Sequence, residues 1–288
     1  MLKILSADSL TEKSNVKRFL LWTVWLLVPA VILFFPFESA AQDQPIVSEL
    51  TNRLNSNFQN LSAVKAYVEL ELSQGSPSQG TTPDQIRQKP QQSSGQIAYD
   101  RLSDSLYFKT FTPLTPHFFT LISKKETFWL QIPKAKVIYT GPLSAIGAEH
   151  FEMKISPQDL KELLIPTQIK QDTEDIRLSE QPSAWILEIY QKSQNFKTRE
   201  IWMDKQSQET LKDVRFSSNG TPFLIIFWDQ FQMTAGGGPF PRSITLAKPL
   251  INYELRLRLK KLQLVASLPE GLFELRSKEG FEIETIHA

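Results

Sequence analysis

Short runs in which apolar and polar residues alternate recur along most of this chain, and they limit its fold more than any other feature of the sequence. The run 94–101 opens Ser-Gly, places Ile97 and Tyr99 on one face, and continues that face with Arg101. The run 121–130 reverses at the polar turn Ser-Lys-Lys-Glu. Aromatic and β-branched residues arranged in this way are typical of consecutive antiparallel strands with one apolar face.

Strand signals return in the C-terminal half. Residues 185–216 predict consecutive hairpins, and residues 223–228 are apolar at every position, which predicts a strand covered on both faces. The run that starts at Tyr253 alternates until Lys260 and Lys261, where its phase slips. Two adjacent polar residues inside a long strand predict a β-bulge, which bends a sheet.

Two segments are predicted to be helices, at 45–61 and 157–164. The first repeats apolar residues at i, i+4 spacing, namely Ile46, Leu50, Leu54 and Phe58. The second begins with Ser156 as N-cap, Pro157 at the first helical position and Asp159 in the first turn. The sequence therefore predicts a mainly β protein with helices.

The N-terminal residues 1–41 are predicted to direct export. A basic pair, Lys17-Arg18, precedes an apolar run at 19–37, and small residues follow up to Ala41. This arrangement is typical of an export signal cleaved after Ala41. The apolar run is also long enough to span a bilayer, so an uncleaved inner-membrane anchor stays open. Both interpretations deliver residues 42–288 beyond the membrane.

Residues 42–288 are predicted to form a single domain, with one insertion. The stretch 73–94 is rich in glutamine, serine, proline and glycine. Such a composition predicts a flexible loop between the first two strands.

Composition and motifs exclude several classes of chemistry. The chain has 288 residues, a net charge of +1 and no cysteine. Without a basic excess, nucleic acid is not expected as a partner. Without thiols, disulfides, cysteine nucleophiles and Cys-based zinc sites are excluded. The sequence has no Gly-x-Ser-x-Gly, no His-Glu-x-x-His and no phosphate-binding glycine-rich loop, so nothing in it predicts an enzyme, a metal site or a cofactor.

Large aromatic side chains on predicted strands are the remaining candidates for function. They are Tyr99, Phe108, Phe118, Phe128, Trp129, Trp185, Trp202, Phe216, Phe227 and Trp228. Two interpretations are open. These side chains fill the core of an ordinary β-sandwich, or they line an apolar cavity in a bent sheet that cannot fill its own concavity.

Two short motifs make the chain similar to a known family. Gly95-x-Ile-x-Tyr-x-Arg101, followed by Leu-Ile-Ser-x-x-x-x-Phe-Trp at 121–129, resembles the LolA/LolB-like superfamily of periplasmic lipoprotein carriers and outer-membrane lipoprotein receptors. The order of predicted elements after residue 42 agrees with that family. The resemblance implies an α+β fold, a strongly curved antiparallel unclosed β-barrel with a helical lid over an apolar cavity, and a non-enzymatic function.

The resemblance also implies roles for particular residues. The aromatic side chains named above, Trp228 apart, would line the cavity, and the two helices would gate it. Arg101 would latch the lid through hydrogen bonds to backbone carbonyls, because a guanidinium offers five donors in a fixed plane. Leu102 departs from the family, since carriers often have proline there. The C-terminal half looks more like the receptor branch, but receptors are lipoproteins and this chain has no cysteine to acylate.

Three functions follow as hypotheses. The first is a monomeric periplasmic carrier that binds acylated lipoproteins or lipids and exchanges them with an inner-membrane export complex and an outer-membrane acceptor, so that lipoproteins reach the outer membrane. The second is an envelope scaffold or sensor of the same fold, anchored at the inner membrane by residues 19–37 and binding a protein partner. The third is an envelope hydrolase, which would need a nucleophile that no motif indicates.

Overall fold

The computed structural model describes residues 43–59, 61–74, 91–111, 119–146, 155–165, 168–170, 172–193, 196–234, 238–275 and 280–287. The predicted export segment, Phe118, and the middle of the predicted insertion lie outside the described residues. The chain divides into two compact units, Met1–Ile46 and Val47–Ala288. Of the first unit only residues 43–46 are described, and they are helical.

The described residues form two α-helices and sixteen strands. In order they are α1 (Asp43–Gln59), β1 (Ala63–Gln74), β2 (Gln91–Asp100), β3 (Ser105–Phe111), β4 (Phe119–Lys124), β5 (Thr127–Ile132), β6 (Val137–Pro142), α2 (Pro157–Leu164), β7 (Glu174–Glu180), β8 (Ala184–Gln191), β9 (Phe196–Asp204), β10 (Thr210–Phe216), β11 (Pro222–Asp229), β12 (Gln232–Met233), β13 (Pro239–Phe240), β14 (Ser243–Lys248), β15 (Tyr253–Val265) and β16 (Glu282–Thr285).

Fourteen of the described strands form one sheet, in the order β16-β6-β5-β4-β3-β2-β1-β15-β14-β11-β10-β9-β8-β7. Neighbouring strands are antiparallel, except that β16 runs parallel to β6. The sheet is curved but does not close into a barrel, so β16 and β7 are its edges. The fold class predicted from the sequence is therefore confirmed.

The two faces of the sheet differ because one of them carries both helices. Cross-strand register places Leu246, Ile226, Asp213, Ile201 and Leu187 in one row on a single face. This row runs from a main apolar cluster, which includes the leucines of α2, to a second apolar cluster, which includes the leucines of α1. We call this the inner face and the opposite one the outer face.

Helix α2 begins where the local sequence predicts it. Ser156 Oγ accepts a hydrogen bond from the Asp159 N–H at 3.1 Å, and Asp159 Oδ2 accepts one from the Ser156 N–H at 2.8 Å. This reciprocal pair is a capping box, and Pro157 occupies the first helical turn. The side of the helix that packs on the inner face consists of Leu160, Leu163 and Leu164.

Helix α1 packs on the other end of the inner face. Leu50 and Leu54 are buried against Leu187 and Ile189 of β8 and against β9. The predicted helix at 45–61 is confirmed with slightly shifted bounds. Ile46, predicted on the apolar side, is 39 % exposed.

The bulge predicted at Lys260 and Lys261 is confirmed. Lys65 pairs with Gln263 and Tyr67 with Lys260, so two residues of β15 stand opposite one residue of β1. Lys261 has a φ of 45°. The extra residue explains why the alternation of the sequence slips at this point.

Two boundaries differ from expectation. β1 continues to Gln74 and β2 begins at Gln91, so both ends of the predicted insertion are strand. The polar residues there pair through their backbones, which their side chains do not reveal. Phe273 is buried, but it lies in a 3-10 turn, Glu270–Phe273, that contacts β3 and β4, and not in a strand.

Candidate functional site: the inner face beneath α2

The main apolar cluster occupies the inner face beneath α2. It combines side chains of β1 to β5, β11, β14 and β15 with the three leucines of the helix, each at most 1 % exposed. Burying one such leucine stabilises the protein by about 1.5–3 kcal/mol. Displacing α2 is therefore costly unless another apolar group takes the place of its leucines.

Three ion pairs fasten α2 to separate parts of the sheet. They are Lys161 Nζ to Asp104 Oδ1 at 2.8 Å, Glu162 Oε2 to Arg215 Nη1 at 2.5 Å, and Asp159 Oδ2 to Lys248 Nζ at 2.7 Å. The partners lie in the turn after β2, on β10 and at the end of β14. A fourth link is neutral, since Trp228 Nε1 donates to the Leu163 carbonyl at 3.0 Å. Polar contacts thus link the helix to three strands and one turn.

The link to the turn after β2 includes a buried tyrosine. Tyr99 Oη donates a hydrogen bond to Asp104 Oδ1 at 3.3 Å. Burial, and next the charge of Asp104, raises the pKa of Tyr99 above its ordinary value, so the hydroxyl stays protonated and donates. The side chain of Lys161 is only 4 % exposed whereas that of Asp104 is 46 % exposed. Lys161 therefore depends on Asp104 for compensation of a charge that water scarcely reaches.

A second buried pair lies between the two apolar clusters. Arg199 Nε donates to both carboxylate oxygens of Asp213, at 2.9 and 3.0 Å, and its Nη2 donates to Oδ2 at 2.6 Å. Burial alone lowers the pKa of Arg199, but the charge and hydrogen bonds of Asp213 outweigh that effect and raise it. The pair interrupts what would otherwise be a continuous apolar inner face.

Arg215 connects this buried pair to α2. One of its nitrogens, Nη1, meets Glu162, and Nη2 lies 3.8 Å from Asp213 Oδ2. Nε and Nη2 are both buried and make no hydrogen bond within the described residues. A buried donor without an acceptor costs about 1–3 kcal/mol. Arg215 therefore has unused hydrogen-bonding capacity on the inner face.

Four of the predicted site residues lie on the inner face. Tyr99, Phe108 and Phe128 are buried in the main cluster, and Phe108 is close to Phe119, edge to face, at 5.7 Å between ring centres. Trp185 is half-buried against the second cluster. That these side chains line a ligand site stays a prediction.

Four others point to the outer face, away from α2. They are Trp129, Trp202, Phe216 and Phe227. Lysines cover three of the rings: Lys212 Nζ lies 4.8 Å from the ring centre of Trp202 and 5.4 Å from that of Phe227, and Lys197 lies over Phe216. The sequence predicted that β11 is covered on both faces. This prediction is wrong for the outer face, where Phe227 is 40 % exposed. The predicted set therefore does not line one surface.

For Trp202 the sequence contains a signal that places it on the outer face. Trp202 lies on the same face of its strand as Glu200 and Asp204. Its neighbours Ile201 and Met203 lie on the opposite face and are buried. A tryptophan in phase with acids belongs to the wet face of a half-buried strand. Aromatic size was therefore a weaker guide than phase.

Arg101 begins the turn that follows β2. Its backbone N–H donates to the Ser62 carbonyl at 2.9 Å, and its side chain is half-buried. Its role as a latch stays a prediction. Sequence reasoning missed the residues whose described contacts hold the helix, chiefly Lys161 and Asp104. They are 57 positions apart, and no local signal pairs them.

The outer face carries a groove of about 500 Å³. Its lining consists of Leu211, Phe227, Trp228, Asp229, Gln230, Ser243, Thr245, Arg256 and Arg258. The two arginines succeed one another on the outer side of β15, directly opposite Thr245 and Ser243 of β14. This groove is polar and lies on the face away from α2.

Across the described ranges, no group of three or more His, Cys, Asp or Glu could hold a metal ion. His117 and His150 lie outside those ranges. No helix in the described part of the chain is both long and apolar enough to cross a membrane.

No protein-family model and no curated protein sequence matches the chain. Solved structures do. A domain named as an outer membrane lipoprotein-sorting protein, from Vibrio parahaemolyticus, superposes with a TM-score of 0.55 and 13 % identity, over 78 % of this chain and 94 % of that one. A DUF1329 family protein from Desulfovibrio piger gives 0.56 and 12 %, over 80 % and 96 %. A LolA superfamily protein from Nitrosomonas europaea gives 0.53 and 12 %, over 80 % and 97 %.

These likenesses define the architecture as an unclosed, curved antiparallel sheet with helices on its inner face. At such low identity they establish the fold alone. The chain has the fold of LolA superfamily proteins, and the resemblance inferred from the two sequence motifs is confirmed at that level.

Proposed function

We propose that this protein is a non-enzymatic protein of the bacterial envelope that binds the acyl chains of lipids or acylated lipoproteins on its inner face. One observation carries the proposal: the main apolar cluster is covered by a helix of eight residues that ion pairs hold in place. An acyl chain gains about 0.8 kcal/mol for each buried methylene. It could therefore replace the leucines of α2 without any catalytic group.

The fold supports this proposal, and the predicted export segment, residues 1–41, favours a location in the cell envelope. The predicted export segment would deliver residues 42–288 to the periplasm. The related domain from Vibrio parahaemolyticus is named for lipoprotein sorting. A monomer that takes lipoproteins from an inner-membrane complex and passes them to an outer-membrane acceptor is the specific form of the function that we propose.

The test is to close α2 covalently and to measure ligand uptake. The chain has no cysteine, so Asp104→Cys with Lys161→Cys introduces two thiols and no others. A short, reducible bis-methanethiosulfonate reagent then bridges the positions that the Lys161–Asp104 ion pair now joins. Uptake of a fluorescent triacylated cysteinyl peptide by the full chain would be measured before bridging, after bridging and after reduction.

We expect bridging to abolish uptake and reduction to restore it. The reduced protein is the matched control, because it differs from the bridged one only in the cross-link. Equal uptake in both states would show that α2 is not the lid. No uptake in any state, together with no lipid in native mass spectra of the protein purified from cells, would refute acyl binding and leave the anchored scaffold.

A further inference from the structure

We propose that α2 resembles the ligand and occupies the ligand's site when no ligand is bound. Arg215 binds the anionic head of an amphiphile, and this head takes the place of the Glu162 carboxylate. This inference rests on the proposed function, which leaves the head of the ligand undefined. It assigns a chemical class: a single acyl chain or a lipid that carries a carboxylate or a phosphate.

The resemblance to the ligand is visible in the side chains of one helical turn. Leu160, Leu163 and Leu164 are buried in the main cluster, where acyl chains would lie. Glu162, on the same turn, presents a carboxylate to Arg215 at 2.5 Å. Apolar bulk beside one anionic head is the chemical description of a fatty acid or an acidic lipid.

The surroundings of Arg215 favour an anion in place of Glu162. Asp213 is the next nearest carboxylate, and its Oδ2 lies 3.8 Å from Arg215 Nη2. Arg199 already holds that same oxygen at 2.6 Å. When α2 leaves, Asp213 is left to compensate two guanidinium groups, on Arg199 and Arg215, whose side chains are 10 % and 19 % exposed. A charge held largely out of water is unfavourable without an opposite charge. A ligand anion removes that cost.

Unused donors extend the argument from charge to geometry. Arg215 Nε and Nη2 are buried and make no hydrogen bond within the described residues. A carboxylate or a phosphate can accept two parallel hydrogen bonds from one edge of a guanidinium. With α2 in place Glu162 engages only Nη1, so an anion that enters when α2 is displaced meets Nη1 and, in addition, the two donors that Glu162 leaves unused.

The test compares acids with neutral analogues of the same chain length. Affinities of the full chain for palmitate, methyl palmitate and 1-palmitoyl lysophosphatidic acid would be measured by displacement of a fluorescent probe. Hydrogen bonds to charged groups contribute about 1.5–3 kcal/mol, which corresponds to roughly 10- to 100-fold in affinity. We expect the two acids to bind more tightly than the ester by a factor in that range. The order of the two acids identifies the preferred head.

Two variants separate Arg215 from the general mobility of the lid. Glu162→Gln removes the competing carboxylate, so it should strengthen acid binding more than ester binding. Lys248→Gln loosens α2 without touching Arg215, so it should strengthen both by the same factor. Arg215→Gln should abolish the preference for acids and, because it also releases Glu162 of α2, strengthen ester binding by about the factor that Lys248→Gln gives. Should Arg215→Gln unfold because Glu162 loses its cation, Arg215→Gln with Glu162→Gln keeps the pair neutral, and the same loss of preference is expected.

Each outcome decides between the two proposals. Equal binding of acid and ester by the unmodified protein overturns the anionic head while leaving acyl binding intact. A preference for acids that survives in the Arg215 variants also overturns it. Binding of neither acid nor ester removes the proposed function itself.

Discussion

The two helices cover the same face of one sheet, but the polar contacts that hold them in place differ in chemistry. Helix α1 buries Leu50 and Leu54, and its Asn55 exchanges two neutral hydrogen bonds with the backbone of Ile169, at 3.3 and 3.1 Å. Helix α2 buries three leucines and is fastened by three ion pairs. A neutral amide pair has one geometry, whereas an ion pair can exchange its partner for another ion. The difference fits the proposed function, in which α1 is structural and α2 can be replaced by a ligand.

The largest expected effect concerns the buried pair between the two regions. Asp213→Ala leaves Arg199 buried without its carboxylate, and removing one partner of such a pair costs about 3–5 kcal/mol. We expect urea unfolding to show a loss of that size.

The control replaces both charges by apolar side chains. Arg199→Met with Asp213→Leu should be close to the unmodified protein in stability, because an apolar pair needs no compensation. A loss below about 1 kcal/mol for Asp213→Ala would mean that Arg199 is accessible to water, and the division between the regions would disappear.

Core truncation comes next. Leu54→Ala and Leu163→Ala each remove a buried leucine and should destabilise the protein by about 2–5 kcal/mol. The comparison predicts that their local effects differ. Amide hydrogen exchange should rise in β8 and β9 for Leu54→Ala, and in α2 for Leu163→Ala. Identical exchange patterns would indicate that the two clusters act as one.

A smaller effect is expected from the cap of α2. Ser156→Ala removes the oxygen that accepts from the Asp159 N–H and should cost about 1 kcal/mol. Exchange should accelerate in α2 but not in α1. Ser48→Ala, at an exposed position of α1, is the matched control and should change neither helix. Faster exchange throughout the protein in Ser156→Ala would contradict an independent α2.

The smallest effect depends on pH. Burial, and next the charge of Asp159, raises the pKa of Tyr253, whose hydroxyl is buried without a hydrogen bond in the described residues. Because the folded state keeps this proton when the unfolded state loses it near pH 10, stability is complete below that pH and falls as the pH rises through it. The second cluster contains no tyrosine among its described members. Alkaline pH should therefore loosen the main cluster first.

Tyr253→Phe checks this expectation. The variant should match the unmodified protein at neutral pH or exceed its stability by up to about 1 kcal/mol, because it removes an unsatisfied hydroxyl. Its stability should decline less steeply in chemical unfolding between pH 9 and 11. An unchanged decline would assign the effect to other groups, such as Tyr99.

Local features of the fold could be predicted from the sequence. Ser156, Pro157 and Asp159 predict the start of α2, because all three lie within a single helical turn. The bulge in β15 is predicted by the break in the apolar–polar alternation at Lys260 and Lys261. Both depend on neighbouring residues alone.

The contacts that hold α2 could not be predicted in the same way. Asp159 meets Lys248 and Lys161 meets Asp104 only because the sheet brings distant strands under the helix. The face of Phe227 follows from the register of β11 with β14, which no residue of β11 specifies by itself. Long-range geometry therefore decides which aromatic side chains belong to the inner face.

The seam between β1 and β15 has a consequence for how this protein is made. Ala63 of β1 is the cross-strand partner of Val265 of β15, although most of the described chain lies between them in sequence. The strands on either side of the seam are mostly hairpin neighbours and can pair as soon as each hairpin is complete. The central ladder must wait for β15, so both half-sheets exist for a time with bare edges. Such delayed closure predicts slow folding and a need for protection against aggregation until the two half-sheets have joined.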